Sequence, residues 1–328
     1  MTTASRSFLI TGGAGFIGSH LADRLLSEGH SVTALDNFET GEVQNLEGAS
    51  ASGRFRLVEG SILDAELVDE LVATHDVTVH LAAAVGVARI VNDTLQSFIT
   101  NVRGSEIVLE SATKHAKRLL LASTSEVYGK CTALPLNEGA GMVVGDLRIN
   151  RWSYAVGKAT DEIFAMAMHR ERGLAVTIAR FFNTVGPRQS KAYGMVIPRL
   201  VNQAVTGQAM SVHGDGHQSR CFCHVGDAVD AVVRLLADDT TIGEVFNIGH
   251  TEEISILGLA ELIRERAKST SEIDMVPYST AYPSGFEDIA RRVPDTSAIH
   301  RAVGWAPERS LMQIVDETIE YFRSPQAH

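Results

Sequence analysis

Basic residues are outnumbered in this 328-residue sequence: 29 Lys and Arg face 40 Asp and Glu, and the net charge is −11. A chain with this balance has no general attraction for the phosphate backbone of nucleic acid or for an anionic membrane surface. We therefore expect neither nucleic acid nor a membrane among its partners. Any anion that it binds must meet a local cluster of cations.

Cysteine is scarce as well, with only Cys131, Cys221 and Cys223 in the chain. A small, odd number in a long sequence argues against a disulfide framework and indicates free thiols in a reducing compartment. Cys221 and Cys223 alternate along one predicted strand, but no second cluster of Cys or His with ligand spacing follows. The sequence therefore predicts no metal site.

Long apolar runs are also missing. Residues 1–6 lack the apolar core of a signal peptide, and no stretch of about 18 apolar residues occurs anywhere. Together with the cysteine usage, this pattern leads us to expect a cytoplasmic protein.

The residues that are present are those of a large globular chain, with 45% apolar and 21% charged residues. In the first 123 residues, short and nearly continuous apolar runs alternate with amphipathic stretches, as in a parallel sheet whose strands are buried on both faces. The pattern predicts an α/β fold, a Rossmann-type doubly wound parallel sheet with right-handed crossovers. The predicted strands are 8–11, 32–36, 55–59, 77–83 and 119–123.

The sheet is expected to continue past residue 150, and a looser succession of elements follows it. We predict a Rossmann domain over residues 1–186 and a smaller, partly interleaved substrate-binding lobe over residues 187–328. The later predicted elements are helices at 154–172, 197–206, 258–268 and 311–323 and a strand at 176–180.

A glycine-rich loop follows the first predicted strand directly. Its sequence is Gly12-Gly13-Ala14-Gly15-Phe16-Ile17-Gly18, with G-x-G-x-x-G at Gly13, Gly15 and Gly18. Glycine permits a tight turn and a close approach of backbone amides to a pyrophosphate at the start of a helix. A plain glycine turn is the alternative, but the strand before the loop and the amphipathic helix after it favour a dinucleotide site.

Asp36 ends the second predicted strand, 18 residues after Gly18. A carboxylate near this spacing hydrogen-bonds the 2′-hydroxyl of NAD and repels the 2′-phosphate of NADP. No Arg or Lys follows in Asn37-Phe38-Glu39. The predicted cofactor is NAD.

Tyr154 and Lys158 lie four residues apart on a predicted helix, so both project from one face. An adjacent ammonium and a nearby nicotinamide charge favour the phenolate and make tyrosine a usable base. A surface pair is the alternative for this common spacing. It is less favoured because Thr124, Ser125 and Glu126 stand where the strand before the helix ends, at the edge that opens into the active crevice.

Together, the glycine loop, Asp36, the segment 123–129 and the pair Tyr154 and Lys158 resemble an extended short-chain dehydrogenase/reductase of the nucleotide-sugar-modifying group. The resemblance covers nearly the whole chain, including the segments 101–104, 180–188 and 214–220. It implies a nucleotide-sugar substrate, a UDP-sugar by the closest resemblance. It also implies a homodimer formed by helices near 95–112 and 155–172.

The resemblance assigns site residues position by position. Catalytic roles fall to Thr124, Ser125, Glu126, Tyr154, Lys158 and Arg292. Cofactor contacts fall to Gly12, Gly15, Phe16, Ile17, Gly18, Asp36, Asn37, Leu81, Ala82, Ala83, Asn101, Tyr154 and Lys158. Substrate contacts fall to Val85, Glu126, Asn183, Val196, Arg199, His213, Arg220 and Arg292.

Within this group the chain is most similar to UDP-glucuronic acid decarboxylases, through Ser125-Glu126, Arg151-Trp152-Ser153-Tyr154 and the segment 286–295 with Arg292. The implied reaction oxidises C4 of UDP-glucuronic acid, loses carbon dioxide from the β-keto acid and reduces the product to UDP-xylose. Arg292 would bind the carboxylate or donate a proton, and Glu126 would position the sugar or relay a proton to C5.

Other reactions remain open. The approach Arg151-Trp152 resembles the bacterial 4-keto-pentose type, which releases NADH. A C4 epimerase is the leading alternative, although Glu126 argues against it, since simple epimerases generally lack a carboxylate there. A 4,6-dehydratase is less favoured because it typically uses an Asp-Glu pair. A non-catalytic NAD-binding protein is least favoured because it could dispense with Tyr154 and Lys158.

Overall fold

A parallel sheet organises the part of the chain that this computed structural model describes, residues 4–86, 93–190, 195–281 and 289–324. The strands are β1 (Ser7–Thr11), β2 (Ser31–Asp36), β3 (Phe55–Glu59), β4 (Val77–His80), β5 (Arg118–Thr124), β6 (Ala175–Phe181), β7 (Thr184–Val185), β8 (Met210–His213), β9 (Ser219–Cys221), β10 (Cys223–His224), β11 (Val245–Ile248), β12 (Glu253–Ser255) and β13 (Ile273–Val276).

The helices alternate with these strands. They are α1 (Phe16–Ser27), α2 (Glu47–Ser50), α3 (Ala65–Thr74), α4 (Thr94–Lys114), α5 (Arg151–Arg172), α6 (Val196–Val205), α7 (Val225–Ala237), α8 (Ile256–Arg266), α9 (Tyr278–Ala281), α10 (Ser297–Val303) and α11 (Leu311–Arg323). Short 3-10 turns lie at Val43–Leu46, Ser125–Tyr128 and Asp239–Thr241.

Seven of the described strands form the main sheet, in the order β11-β6-β5-β4-β1-β2-β3, and every pairing in it is parallel. The order reverses next to β1, which is the switch point where doubly wound sheets bind ligands at the carboxyl ends of their strands. The Rossmann-type α/β fold predicted from the sequence is confirmed.

Both faces of this sheet are covered. Along β1, Phe8 and Ile10 pack into the core that contains α1 and α7, whereas Leu9 packs into the core that contains α3, α4 and α5. Continuous apolar runs therefore serve two cores at once. The edge strand β3 is different, because Arg56, Leu57 and Glu59 are exposed. The expectation that this strand is buried on both faces is wrong.

The predicted strand 77–83 is three residues too long, since β4 ends at His80. Beyond this point the Leu81 amide bonds the Thr11 carbonyl at 3.1 Å and the Ala82 amide bonds the Thr11 hydroxyl at 3.3 Å. The chain thus leaves the sheet beside the glycine loop. Residues 81–83 become available to line a cavity.

A third core lies among α6, α8, α11 and β8. Apart from Val185, all buried residues of this core follow residue 186. However, β11 and α7 also follow residue 186, and β11 pairs within the main sheet while α7 packs against it. The division into residues 1–186 and 187–328 stays a prediction.

The cysteines Cys131, Cys221 and Cys223 are free thiols. Cys221 ends β9, which pairs with β12, and Cys223 starts β10, which pairs with β7, so the two do not share one strand as predicted. No group of three or more His, Cys, Asp or Glu in the described ranges has the arrangement of a metal site. Within the same ranges, no helix is both long and apolar enough to cross a membrane.

Candidate active site

A cavity of about 530 Å³ lies at the carboxyl ends of β1, β2, β4, β5 and β6 and extends to the third core. Of the site residues predicted from the sequence, all but Asn101 line this cavity. Asn101 is buried behind the wall, where its side-chain amide bonds both the N–H and the carbonyl of Ala84, at 2.6 and 3.1 Å. It supports the wall rather than forming its surface.

The glycine loop forms one end of the cavity. Gly12 has a φ of +72°, and a side chain there would lie 2.8 Å from the Ala82 amide nitrogen, so both its conformation and its neighbours require glycine. Gly15 precedes α1 and no side chain caps that helix, which leaves its first amides available to an anion. Gly13 is not part of the lining; it packs against Ala34 of β2. These residues fit a pyrophosphate.

Asp36 stands beside this loop at the end of β2. Its Oδ2 accepts the Ala14 amide and its Oδ1 the Phe38 amide, both at 2.9 Å. Burial raises the pKa of Asp36, and these amide bonds oppose the rise. None of the other described lining residues next to Asp36 is positively charged; they are Leu35, Asn37, Glu39, Thr40, Glu42, Asn45, Gly60, Ser61 and Ile62. Arg188 also lines the cavity, and its Nη2 donates to Asp23 Oδ2 of α1 at 2.8 Å. The donor set fits an unphosphorylated adenosine ribose, as in NAD.

Tyr154 lies in the first turn of α5, at the middle of the cavity. Burial raises the pKa of Tyr154, the negative charges of Glu126 and Asp161 add to the rise, and a hydrogen bond with Thr124 opposes it. Lys158 is 3% exposed, and its Nζ bonds Asp161 Oδ2 at 2.9 Å. The Lys158 ammonium, which was expected to favour a phenolate at Tyr154, is therefore paired with a carboxylate to which no sequence pattern pointed.

Glu126 is held by two arginines. Arg292 Nη1 donates to Glu126 Oε1 at 2.8 Å and to Ser125 Oγ at 3.2 Å, and Arg151 Nη2 lies 3.5 Å from Glu126 Oε2. Burial alone would raise the pKa of Glu126, but Arg292 and Arg151 outweigh it and lower the pKa to about 2. Glu126 is therefore a carboxylate at neutral pH and has no proton to relay to C5. Its other expected role, positioning the sugar, remains available.

Arg292 has a hydrogen-bond donor that Glu126 and Ser125 do not use. It is 5% exposed, it lines the cavity, and its Nη2 is buried and has no hydrogen-bond partner among the described residues. A buried donor without an acceptor destabilises the folded protein, and a ligand that supplies an acceptor removes this penalty. The segment 286–288, quoted with Arg292 in the sequence motif, lies outside the described residues, as do residues 87–92 after Val85.

The far end of the cavity brings together segments that are distant in the chain. Asn183, with a φ of +29°, donates to the Cys221 carbonyl at 2.9 Å, and Arg220 donates to the Ser219 carbonyl at 2.7 Å. Arg199 Nη1 lies 3.2 Å from His213 Nε2. The side chains of Arg199, Arg220 and Asn183 thus line the same end of the cavity. Val85 and Val196 line it with them.

Some lining residues were not predicted as site residues. Arg151 and Gln218 were quoted only within motifs, whereas Phe222 and Tyr278 carried no signal in the sequence. Arg151 had the best chance of detection, because it stands three residues before Tyr154 and therefore on the same face of α5.

Comparison with known proteins identifies the family to which this chain is similar. The family described as GDP-mannose 4,6 dehydratase matches residues 9–318. A UDP-N-acetyl-alpha-D-glucosaminuronate decarboxylase from Bacillus cytotoxicus is 42% identical over 316 residues, which are 96% of this chain and 97% of that protein. UDP-glucuronic acid decarboxylase 1 of Danio rerio is 35% identical over 323 residues, 98% of this chain and 74% of that one.

Among solved structures, a mutant UDP-glucuronic acid 4-epimerase from Bacillus cereus superposes with a TM-score of 0.87 at 26% identity, covering 97% of this chain and 99% of its own. That crystal holds UDP-4-deoxy-4-fluoro-glucuronic acid and NAD. The cofactor in this neighbour agrees with the NAD predicted from Asp36.

Proposed function

This chain belongs to the GDP-mannose 4,6-dehydratase family of extended short-chain dehydrogenases, and we propose that it is an NAD-dependent decarboxylase of a UDP-linked glucuronic acid. The family predicted from the sequence is confirmed, and with it an NAD-dependent enzyme that modifies a UDP-sugar. The loss of carbon dioxide and the identity of the sugar are the proposal.

The unpartnered Nη2 of Arg292 is the observation that carries it. Arg292 faces the cavity beside Glu126, and Glu126 occupies only its Nη1. A guanidinium presents its donors as a fork that matches a carboxylate. A substrate with a carboxylate at C6 would supply a charged acceptor, whereas a neutral hexose would offer only the weaker acceptor of a hydroxyl oxygen.

The chemistry follows from the neighbours of Arg292. Tyr154, oriented by Thr124, would take the proton of the C4 hydroxyl, and NAD held by the glycine loop and Asp36 would supply the oxidising power for that step. The resulting ketone lies β to the carboxylate, so the bond to carbon dioxide breaks and its electrons delocalise into an enolate. Tyr154 now carries the proton and can donate a hydrogen bond to the enolate oxygen. Glu126 holds Arg292 in place, and another group must protonate C5.

Two substrates share this chemistry. The sequence predicted UDP-glucuronic acid and the product UDP-xylose, whereas the 42% identical relative is named for the 2-acetamido form of the sugar acid. The two differ at C2 and both carry the C6 carboxylate. Both belong in the test.

The test incubates purified protein with NAD and each sugar acid, and follows carbon dioxide, NADH absorbance and the product by proton NMR. Carbon dioxide without lasting NADH indicates a UDP-pentose synthase that keeps its hydride, and carbon dioxide with stoichiometric NADH indicates the 4-keto-pentose type. An epimerised sugar acid with no carbon dioxide would refute the proposal in favour of a C4 epimerase. No reaction with either substrate would also refute it.

We also propose a homodimer through α4 and α5, which pack against each other. Leu95 and Ile163 are 74% and 70% exposed, and Phe98 and Ile99 complete an apolar surface one turn along α4. A second copy of this chain would cover it. Leu95→Glu with Ile163→Glu is expected to give monomers in sedimentation analysis. Met312→Glu, at an exposed apolar position on α11, is the matched control.

A further inference from the structure

A chain of buried hydrogen bonds runs beneath the cavity and ends at Lys158. Thr11 Oγ1 lies 2.7 Å from His80 Nδ1, and His80 Nε2 lies 3.1 Å from Ser105 Oγ. Ser105 and Lys158 both donate to Asp161 Oδ2, each at 2.9 Å. None of the five residues is more than 3% exposed.

The direction of every bond in this chain can be assigned. Burial and the charge of Lys158 lower the pKa of His80 to about 3, so its ring is neutral and carries one proton. Ser105 gives its only proton to the Asp161 carboxylate and therefore accepts from His80 Nε2. His80 Nδ1 then accepts from Thr11. All the donors point toward Asp161.

The two ends of the chain connect different parts of the site. Thr11 is the residue before Gly12, and its hydroxyl accepts the Ala82 amide at 3.3 Å. Asp161 lies three residues beyond Lys158 on α5. The carboxylate is thus tied to both loops that line the cofactor end, and it holds the Lys158 ammonium four residues after Tyr154 on α5.

We propose that Asp161 is a positioning residue for the redox step: it fixes Lys158 at the cavity and keeps Tyr154 protonated until a second positive charge, that of the oxidised cofactor, arrives. The proposal rests on Tyr154 acting as the base in the proposed function. It assigns Asp161 the role of cancelling the charge of Lys158, so that the base forms only in the loaded enzyme.

The charges around Tyr154 support this assignment. Asp161 and Glu126 both act to raise the pKa of Tyr154. The Glu126 carboxylate is compensated by Arg292 and Arg151. Burial raises the pKa of Asp161, the charge of Lys158 and the hydrogen bonds from Lys158 and Ser105 act against that rise, and the charge of Glu162 adds to it. The charged groups that act on Tyr154, or on the carboxylates beside it, are Glu126, Arg151, Lys158, Asp161, Glu162, Arg220 and Arg292. Glu162 is itself paired with Arg180, at 2.6 Å.

The experiment measures the ionisation of Tyr154 directly. The absorbance of tyrosinate is titrated in the protein saturated with NAD, and the same titration of Tyr154→Phe is subtracted. Asp161→Asn is expected to lower the midpoint by about one pH unit, the effect of removing a nearby like charge. A midpoint that is unchanged or higher would overturn the proposal.

Two further variants make this test specific. Ser105→Ala keeps both charges and removes only one hydrogen bond, so its midpoint should equal that of the wild type; a shift as large as that of Asp161→Asn would overturn the role of charge. If Asp161→Asn does not fold, Asp161→Ser removes the same charge with a smaller side chain and should give the same shift. Because the titration needs no sugar, its outcome is independent of whether the protein decarboxylates anything.

Discussion

The cofactor end of the cavity is made of neighbours in the sequence, whereas its sugar end is assembled from distant segments. Gly12 and Gly15 lie in the loop after β1 and Gly18 lies in the first turn of α1, and they act through backbone atoms. Glu126 and Arg292 are 166 residues apart, and they act through charged side chains. We expect the glycine loop to determine where a ligand binds. We expect the Glu126–Arg292 ion pair to determine which sugar binds and which reaction it undergoes.

Tyr154 lies between the two ends of the cavity, and its substitution should have the largest effect on the rate of the reaction. Tyr154→Phe keeps the ring and removes the base, so we expect a loss of at least about 10²-fold in NADH formation in a single turnover. NAD should still bind, because the glycine loop and the Asp36 site are intact. Turnover close to that of the wild type would show that another group is the base.

Arg292→Ala should separate the two halves of the reaction. The cofactor end is untouched, so C4 oxidation and NADH formation continue, but release of carbon dioxide should fall by about 10²-fold because the carboxylate has lost its cation. Single-turnover measurement of NADH and carbon dioxide checks this. Arg291→Ala is the control, since Arg291 is 59% exposed and pairs with Glu253. Normal carbon dioxide release by Arg292→Ala would contradict the proposed role.

Asp36→Asn should affect only the cofactor end. The amide keeps one acceptor and loses the charge, so we expect NAD affinity to fall by about tenfold, as for a hydrogen bond to a charged group. Affinity for NADP should fall less or improve, because the repulsion of its phosphate is gone. Fluorescence titration with both dinucleotides measures the ratio. Glu59→Gln on the adjacent strand is an exposed control, and an equal change there would refute the assignment.

The same contrast explains what could be predicted from the sequence. The bounds of β1, β2, α5 and α11 agree with the prediction within a few residues, because apolar runs and periodicity are local. Arg292 was placed only through a resemblance, since nothing local relates it to Glu126. Asp161 gave no signal at all: a carboxylate on a helix normally faces water, and only the approach of α4 with Ser105 buries it.

β3 and the two strands at Cys221 and Cys223 were misjudged for a related reason. An apolar run predicts a strand but not its neighbours, and β3 has a neighbour on one side only. Whether a strand is central or at an edge, and where one strand ends and the next begins, depends on pairing with distant segments.

Lowering the pH should produce the smallest of the expected effects, which is a change in the stability of the fold rather than in the rate of the reaction. The pKa of Glu126 is about 2 in the folded protein, against an ordinary value of 4.5. A lowered pKa stabilises the fold fully above the unfolded value, and this contribution is lost as the pH falls toward the folded value. The difference in free energy of unfolding between wild type and Glu126→Gln should therefore shrink from about pH 4.5 downward. Denaturant titrations at a series of pH values check this.

A matched surface pair sharpens that measurement. A hydrogen bond from Arg291 lowers the pKa of Glu253 to about 2 as well. The two carboxylates are similarly exposed, at 24% for Glu253 and 25% for Glu126, but Arg291 is 59% exposed and Arg292 only 5%. Salt screens exposed charges more than buried ones. Raising the ionic strength should therefore remove most of the effect of Glu253→Gln and leave most of that of Glu126→Gln. Equal loss of both would mean that water reaches Arg292 as well as Glu126, and Arg292 would then have no unsatisfied donor to offer a substrate carboxylate.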